Sequence, residues 1–296
     1  MYRVNIMEVA ICIYTHSTYF DILKIHLDYA NTLYKDSPYN IYIFSDIPYT
    51  SGGGMFKKGR SIVKRRRIKR MSKKQKGGQN NTQLKYKTIL YDNNKPYFSR
   101  LIDCLQQVES DYIIITHDYD VVIRFNREII NPLVESMKTN NIDSIELLNK
   151  GKQAEISVYK TLSISKKEDD GYTYNVQPRL WRKKSALDIY SKFPNSPYAT
   201  CEVGEIQEYI KNNQKTYTMS DTISVRSTRY YFYSPFFCFI HLTGGSKLIP
   251  CTKENNLEPF IQEEHEKIYN KYFKNSKREV DTKIWIGQLE FHEISK

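Results

Sequence analysis

Short apolar runs alternate with stretches of helical spacing along the first half of the chain. Apolar residues dominate positions 8–14, 39–44 and 87–91, and a polar turn follows each run. Between the first two runs, residues 20–33 carry apolar side chains three and four positions apart, the spacing of a helix that packs on a sheet. A strand, a helix and a strand in this order predict a parallel pair joined by a right-handed crossover.

A fourth apolar run, at residues 112–123, has the sequence YIIITHDYDVVI and is predicted to be the central strand. Isoleucine-rich runs of this kind are typical of strands buried inside a parallel sheet. The run includes Asp118 and Asp120, and open α/β sheets bind their ligands at the carboxyl ends of such strands. Because buried carboxylates need a partner, the pair indicates a Mg²⁺ or Mn²⁺ ion that carries a diphosphate. In the alternative interpretation, Asp118 caps a turn and Asp120 is solvated.

The alternation of elements continues beyond this run but becomes less regular. Helices are predicted near residues 97–108, 127–139, 183–193 and 200–211, and strands near residues 144–148, 156–164, 172–176, 223–225 and 230–242. The last of these helices carries a glutamate every three residues, at Glu202, Glu205 and Glu208, and such an acidic face is usually left to solvent. The tail is expected to form a charged helix and a short strand, docked by Trp285 and Phe291.

One segment carries the excess positive charge of the chain. The 45 lysines and arginines outnumber the 33 aspartates and glutamates by twelve, and Lys57 to Lys76 holds twelve basic residues and no acidic one. The remaining chain is therefore formally neutral. Glycines flank the block, so residues 51–82 are expected to form a disordered surface insert. Its alternative roles are contact with an anionic membrane or a nucleic acid, a localisation signal, and attraction of a phosphate-rich donor.

The cysteines and the apolar runs exclude several protein classes. Five cysteines lie far apart without a CxxC pair, which indicates neither a zinc site nor a disulfide framework and favours a reducing compartment. No apolar run is long enough to span a bilayer. The amino terminus has the pattern of a first strand and not that of a signal peptide. We expect a cytoplasmic protein without a transmembrane segment. Binding of the insert to a membrane would make it a peripheral membrane protein.

Three segments of the chain resemble nucleotide-sugar-dependent glycosyltransferases of the GT-A fold. They are THDYDVV at residues 116–122, NVQPRLWRKK at 175–184 followed by CEVGE at 201–205, and HLTGG at 241–245. The likeness is to the cytosolic sugar transferases of bacterial surface-polysaccharide clusters and large DNA viruses, and it extends from Val9 to about Lys247 without the insert. It implies an α/β, Rossmann-like fold with a mixed, mostly parallel central sheet flanked by helices. Residues 1–125 would form the nucleotide-sugar half, 126–250 the acceptor half and 251–296 a tail.

The resemblance also implies roles for candidate site residues. Asp118 and Asp120 would bind Mn²⁺ or Mg²⁺ that bridges the diphosphate of a UDP- or GDP-sugar, with Asp120 the more direct ligand. His241 would be a third metal ligand, and Asp118 would also contact the ribose. The remaining donor contacts would come from Thr15, His16, Asp46 and Arg100. Because an arginine on a helix and a histidine beside a glycine turn are commonly structural, Arg100 and His241 also allow that simpler interpretation.

Transfer of a sugar to a hydroxyl group also requires a base. In an inverting enzyme the base takes the proton from the acceptor hydroxyl. Glu202 or Glu205 is the candidate, because the helix after residues 177–181 should flank the acceptor site. The acceptor would be a glycan or a protein.

Two other functions stay open at the level of the sequence. A nucleotidyltransferase or nucleic-acid-modifying sugar transferase would use the same carboxylates for a metal and the insert for a polynucleotide. Binding through twelve cations would depend strongly on salt, although the insert lacks interleaved aromatic residues that stack on bases. The second alternative is a non-catalytic binding protein with a GT-A-like frame, which leaves the pair of aspartates without a role.

Overall fold

The computed structural model describes residues 9–34, 37–49, 84–149, 155–159, 162–166, 173–221, 231–233, 236–244, 246–249, 259–274, 276 and 278–280. Strands and helices alternate through the first half of this part. The strands there are β1 (Val9–Tyr14), β2 (Asn40–Ser45), β3 (Lys87–Leu90), β4 (Tyr112–His117) and β5 (Asp120–Phe125). The helices are α1 (Phe20–Leu33) and α2 (Tyr97–Leu105).

Strands predominate in the second half, with four more α-helices among the described residues. The strands are β6 (Ser144–Asn149), β7 (Ile156–Tyr159), β8 (Leu162–Lys166), β9 (Arg179–Arg182), β10 (Thr216–Asp221), β11 (Tyr231–Tyr233), β12 (Phe237–His241), β13 (Thr243–Gly244) and β14 (Lys247–Leu248). The helices are α3 (Ile130–Thr139), α4 (Lys183–Lys192), α5 (Glu205–Asn213) and α6 (Pro259–Ile268). Short 3₁₀ helices occupy Ser17–Tyr19, Arg127–Ile129 and Tyr198–Thr200, and a π-helical turn at Tyr269–Phe273 continues α6.

The strands of the main sheet confirm the predicted fold class. Nine described strands lie in the order β3-β2-β1-β4-β9-β6-β10-β8-β7. The pairings show that seven of them run in one direction and that β8 and β9 run the other way. The chain winds from β1 to β2 and β3 on one side, then returns to place β4 on the other side of β1. The gap between β1 and β4 is therefore a topological switch point, where open α/β sheets bind their ligands.

Helices cover both faces of the main sheet, which makes the protein a mixed α/β structure. Alternate residues of β1 point to opposite faces: Val9, Ile11 and Ile13 pack with α1 and α3, whereas Ala10 and Cys12 pack with α2, α4 and α5. Because both faces are buried, the strand is apolar at every position instead of alternating.

A second sheet lies on the outer side of α1. It contains β11, β12 and β5 in that order, with antiparallel pairing. Ile22 and Ile25 of α1 pack with Val121 of β5, Ile240 of β12 and residues of α6. Helix α1 therefore has apolar residues on two sides. In the described part of the chain, no helix is both long and apolar enough to cross a membrane.

The prediction of one central strand over residues 112–123 was wrong. The main-sheet strand ends at His117, a turn follows at Asp118 and Tyr119, and β5 then pairs with β12 of the second sheet. The carboxylate of Asp118 accepts a hydrogen bond from the Tyr119 backbone N–H (2.9 Å), which stabilises this turn. Asp118 consequently lies in the turn that follows the main sheet, whereas Asp120 is the first residue of a strand of the second sheet.

Several predictions in the second half also need correction. The helix predicted over 200–211 begins only at Glu205, because Gly204 has a φ of 64°, outside the helical region. Residues 156–164 form the hairpin of β7 and β8 instead of one strand, and residues 173–176 form no strand. Strands β9 and β10 were missed.

Other predictions fall outside the described residues. They are the basic insert at 51–82, the strand at 223–225, and the docking residues Trp285 and Phe291. The boundaries proposed at residues 125 and 250 stay predictions. Strands from both proposed halves contribute to the main sheet.

Candidate functional site

The residues that follow β1, β2 and β3 are joined by hydrogen bonds at the carboxyl edge of the main sheet. The backbone N–H of Thr15 donates to the Phe44 carbonyl (2.9 Å). The Tyr91 hydroxyl donates to the Thr15 carbonyl (2.7 Å), and the Tyr91 N–H donates to the Ser45 carbonyl (3.0 Å). Because parallel strands end on the same side, the three loops form one surface.

Asp118 joins this surface from the other side of the switch point. The Thr15 hydroxyl donates to Asp118 Oδ2 at 2.5 Å, and the Asp118 N–H donates to the Tyr14 carbonyl at 3.0 Å. Asp118 is only 3% exposed. Burial raises the pKa of this carboxyl from 3.8 to about 8, against the opposing effect of the hydrogen bonds from Thr15 and Tyr119. The structure thus brings together two residues that the sequence had placed in one site.

Asp120, two residues after Asp118 in the sequence, forms a second contact, with His241. They are opposite each other in the antiparallel pairing of β5 and β12, and His241 Nδ1 lies 2.7 Å from Asp120 Oδ1. Asp120 is 1% exposed, and burial raises its pKa, whereas the proximity of His241 lowers it. The side chain predicted as a third metal ligand is thus the hydrogen-bond partner of the second aspartate.

The side chains at this edge of the sheet offer oxygen and nitrogen atoms that could bind a divalent cation. Within the described residues, no three or more His, Cys, Asp or Glu side chains are grouped as a metal site. Mg²⁺ sites commonly use one or two protein carboxylates and take further ligands from substrate phosphates. Asp118 and Asp120 supply oxygen ligands of this type; both are buried, and the His241 imidazole contacts Asp120. These residues fit an ion that binds together with a diphosphate.

His16 and Asp46 lie together in the loops after β1 and β2. Asp46 accepts hydrogen bonds from the N–H and the hydroxyl of Ser17, both at 2.7 Å. His16 Nε2 lies 3.4 Å from Asp46 Oδ2 and 3.2 Å from the Asn93 amide nitrogen. These contacts join the loops after β1, β2 and β3, and His16 directly follows Thr15 of the Thr15–Asp118 pair.

Arg100 lies on α2 and is held by neutral oxygen atoms. Its guanidinium donates to the carbonyls of Lys95 (2.7 Å) and Asn93 (2.8 Å) and to the Tyr14 hydroxyl (3.2 Å). It also lies 5.3 Å from the ring centre of Tyr91. The side chain therefore fixes the loop after β3 to the aromatic residues below the site. A contact with a donor phosphate stays a prediction.

The sequence analysis missed an aromatic wall beside the aspartates, formed by His117, Tyr119 and Tyr198. His117 and Tyr119 stack with ring centres 4.9 Å apart, and the hydroxyls of Tyr119 and Tyr198 are 2.5 Å apart. Tyr119 also meets the His241 ring edge-on at 4.6 Å. Burial lowers the pKa of His117 to about 3, so this imidazole is neutral at physiological pH. In the sequence, the position of Tyr119 between Asp118 and Asp120 was the feature that could have indicated an aromatic residue beside the aspartates.

The two glutamates predicted as bases have different surroundings. Glu202 Oε1 accepts a hydrogen bond from the Val176 N–H (2.5 Å). Burial raises the pKa of the Tyr198 phenol, and the negative charges of Asp120 and Glu202 raise it further. Glu205 is exposed at the first turn of α5 and lines an open cavity of about 480 Å³ between α4 and α5. Only Glu202 is connected to the aromatic wall by these interactions.

Comparisons with known proteins give a distant likeness to solved structures. No family model and no curated protein matches the chain. A 4-diphosphocytidyl-2C-methyl-D-erythritol synthase from Anaerococcus prevotii is 11% identical over 74% of this chain and 90% of its own, with a TM-score of 0.40. TarS residues 1–349 from S. aureus in complex with UDP is 13% identical over 73% of this chain and 59% of its own, with a TM-score of 0.39. A cytidylyltransferase from Leptospira borgpetersenii is 10% identical over 73% of this chain and 77% of its own, again with a TM-score of 0.39. At these values the likeness assigns neither a family nor an activity to the chain.

Proposed function

We propose that the protein is a glycosyltransferase that binds a nucleotide-diphosphate sugar at the switch point between β1 and β4. It moves the sugar to a hydroxyl group of a glycan or protein acceptor. The observation that carries this proposal is the buried Thr15–Asp118 hydrogen bond at the switch point, next to the Asp120–His241 pair in the following strand. Open α/β sheets bind ligands at this place, and a diphosphate with its cation suits two buried carboxylates.

In this proposal Asp118 and Asp120 hold Mn²⁺ or Mg²⁺ together with the donor diphosphate. When bound, the ion neutralises the negative charge that develops on the leaving nucleotide. Asp118 must lose its proton to bind a cation, and its raised pKa of about 8 makes that loss dependent on pH near neutrality. Thr15 keeps the carboxylate in place by its hydroxyl. His16 and Asp46 bind the nucleoside from the neighbouring loops.

We assign acceptor activation to Glu202 in preference to Glu205. A general base must reach the hydroxyl whose proton it takes. The negative charge of Glu202 raises the pKa of Tyr198 in the aromatic wall, whereas Glu205 is exposed in the cavity between α4 and α5. As Glu202 takes the acceptor proton, the acceptor oxygen would bond to the anomeric carbon on the face opposite the nucleotide, and the bond to the leaving nucleoside diphosphate would break, which inverts the configuration.

A transfer assay tests this function. The purified chain is incubated with UDP- and GDP-sugars, Mn²⁺ and a panel of glycan and protein acceptors, and glycosylated products are identified by mass spectrometry. We expect one donor class to give product with the wild type and none with Asp120→Asn. Asp188→Asn is the matched control and should retain activity, because Asp188 is exposed and its carboxylate only accepts a hydrogen bond from the Tyr209 hydroxyl. Equal product formation by Asp120→Asn and the control would refute the proposed site.

A further inference from the structure

A second cavity lies at the opposite edge of the main sheet from the candidate site. It has a volume of about 600 Å³ and is lined in part by Tyr112, the first residue of β4, and Arg182, the last residue of β9. Strands rise by about 3.3 Å per residue, so the length of β4 separates this cavity from Asp118 by about 20 Å. Nothing in the proposed transfer reaction uses it.

The walls of this basic cavity carry a local excess of positive charge. Four of the eight lining residues are cations, namely Lys138, Arg182, Lys183 and Lys184, and the one acid among them is Asp111. Outside the segment Lys57 to Lys76 the chain is formally neutral. The excess of lysine and arginine at the cavity is therefore not a consequence of overall composition.

Two of these cations are held by neutral oxygen atoms and not by carboxylates. The Arg182 guanidinium donates to the Asn141 side-chain carbonyl (3.0 Å) and the Met137 backbone carbonyl (3.2 Å). The Lys183 ammonium donates to the Val108 carbonyl (2.5 Å). In the described structure neither forms an ion pair, so these hydrogen bonds orient the two charges without neutralising them. An anion in the cavity would supply the missing countercharge.

Nearby features point to the same kind of ligand. The Nε atom of Arg182 is buried and has no hydrogen-bond partner in the described structure, which is costly. Helix α4 begins at Lys183, so its amino end adds positive potential at the same wall. Of the four lining cations, Lys138 is paired with Glu135, and the nearby Asp143 accepts hydrogen bonds from the Ser185 hydroxyl and the Lys215 N–H.

We propose that the basic cavity is a second binding site, which takes a small phosphate-bearing anion at the edge of the sheet remote from Asp118. Its volume falls within the range of small-molecule sites, and lysine and arginine are the side chains that bind phosphate. The ligand is a phosphorylated metabolite or an inorganic polyphosphate, and it binds without a divalent cation because the protein supplies the positive charge.

Isothermal titration with inorganic pyrophosphate in the presence of EDTA tests the site. We expect one pyrophosphate to bind per chain and the affinity to fall at least tenfold in Lys184→Glu, which reverses an exposed charge at the cavity. Lys274→Glu makes the same charge change at an exposed position outside the cavity and should bind like the wild type. Asp118→Asn should also leave this binding unchanged.

Three outcomes would overturn the proposal. One is the absence of heat with pyrophosphate at millimolar concentration. Another is equal weakening in Lys184→Glu and Lys274→Glu, which would indicate general electrostatic attraction. The third is loss of binding in Asp118→Asn with retention in Lys184→Glu, which would place the pyrophosphate at the candidate active site. Replacing pyrophosphate by sodium chloride of equal ionic strength gives the background for each titration.

Discussion

The protonation of Asp118 predicts a specific dependence of stability on pH. The carboxyl has a pKa of about 8 in the folded protein, raised above 3.8 mainly because burial disfavours the charged form. The folded state therefore keeps a proton that the unfolded chain releases between these two values. The contribution of this group to stability is complete below pH 3.8 and is lost as the pH rises towards 8. Asp118→Asn removes the titration and keeps a side chain of the same shape.

The size of the effect follows from proton linkage. A single proton bound by the folded state alone changes the free energy of unfolding by about 1.4 kcal/mol per pH unit. Between pH 5 and pH 7, the free energy of unfolding of the wild type should therefore fall relative to Asp118→Asn by about 2 to 3 kcal/mol. The neutral asparagine can still accept from the Tyr119 N–H, and the Thr15 hydroxyl can turn to accept from its amide.

Urea unfolding at four pH values between 5 and 7, followed by circular dichroism, measures this difference. Both variants share every other titrating group, so the difference between their pH slopes isolates Asp118. A constant offset between the two curves reports the substitution itself and does not bear on the argument. Parallel slopes, with the same pH dependence in both variants, would refute the inference that Asp118 is protonated in the folded state. Asp188→Asn, at an exposed site, should give the wild-type slope.

Three further predictions concern the same region. Glu202→Gln should lower turnover at least a hundredfold and leave donor affinity unchanged in calorimetry, whereas Glu205→Gln should retain most activity; equal losses in both would contradict the assignment. His241→Ala leaves Asp120 buried without its partner and should lower the free energy of unfolding in urea by about 3 kcal/mol. His241→Asn should restore part of this stability, and an unchanged unfolding midpoint in His241→Ala would contradict a stabilising pair. Deletion of residues 57–76 should leave donor affinity unchanged, and a loss measured by calorimetry would give the insert a role in donor binding.

The first half of the fold was predictable because its strands are buried on both faces of the sheet. Strands β1, β2 and β3 and helix α1 lie within a residue or two of their predicted positions, since the sheet is buried on both faces and α1 packs on it. The resemblance implied one site for Thr15, Asp46 and Asp118, and the structure places the loops that carry them at one edge of the main sheet. Parallel strands end on one side, so residues just beyond them must come close together.

The break between β4 and β5 could not be predicted from the pattern of apolar residues along the sequence. Val121 packs against the outer side of α1, and Val122 packs in the core beneath the main sheet, so the buried apolar residues resume in β5 directly after the two aspartates. Nothing in the pattern therefore marks the change of sheet. The pairing of Asp120 with His241 depends on the register of β5 and β12, whose partners are 121 residues apart.

Strand β9 was missed because its sequence, RLWR, contains two arginines. Arg179 is only 1% exposed and lies 3.6 Å from the carboxylate of Glu146, which is fully buried in β6. A buried arginine is tolerated only where such a partner exists. The partner is distant in sequence, and the pairing of β6 with β9 was needed to recognise it.

The most direct test of the central claim is a titration of the full chain with UDP- and GDP-sugars, each with and without Mn²⁺, followed by calorimetry and thermal unfolding. A ligand that binds only the folded state raises the unfolding temperature by mass action. We expect one nucleotide class to bind in a manner that requires Mn²⁺. Asp118→Asn and Asp120→Asn should abolish this binding, and Asp188→Asn should preserve it. Binding that is equally strong in all four proteins, or no binding by either nucleotide class, would contradict a nucleotide-sugar site at the switch point between β1 and β4.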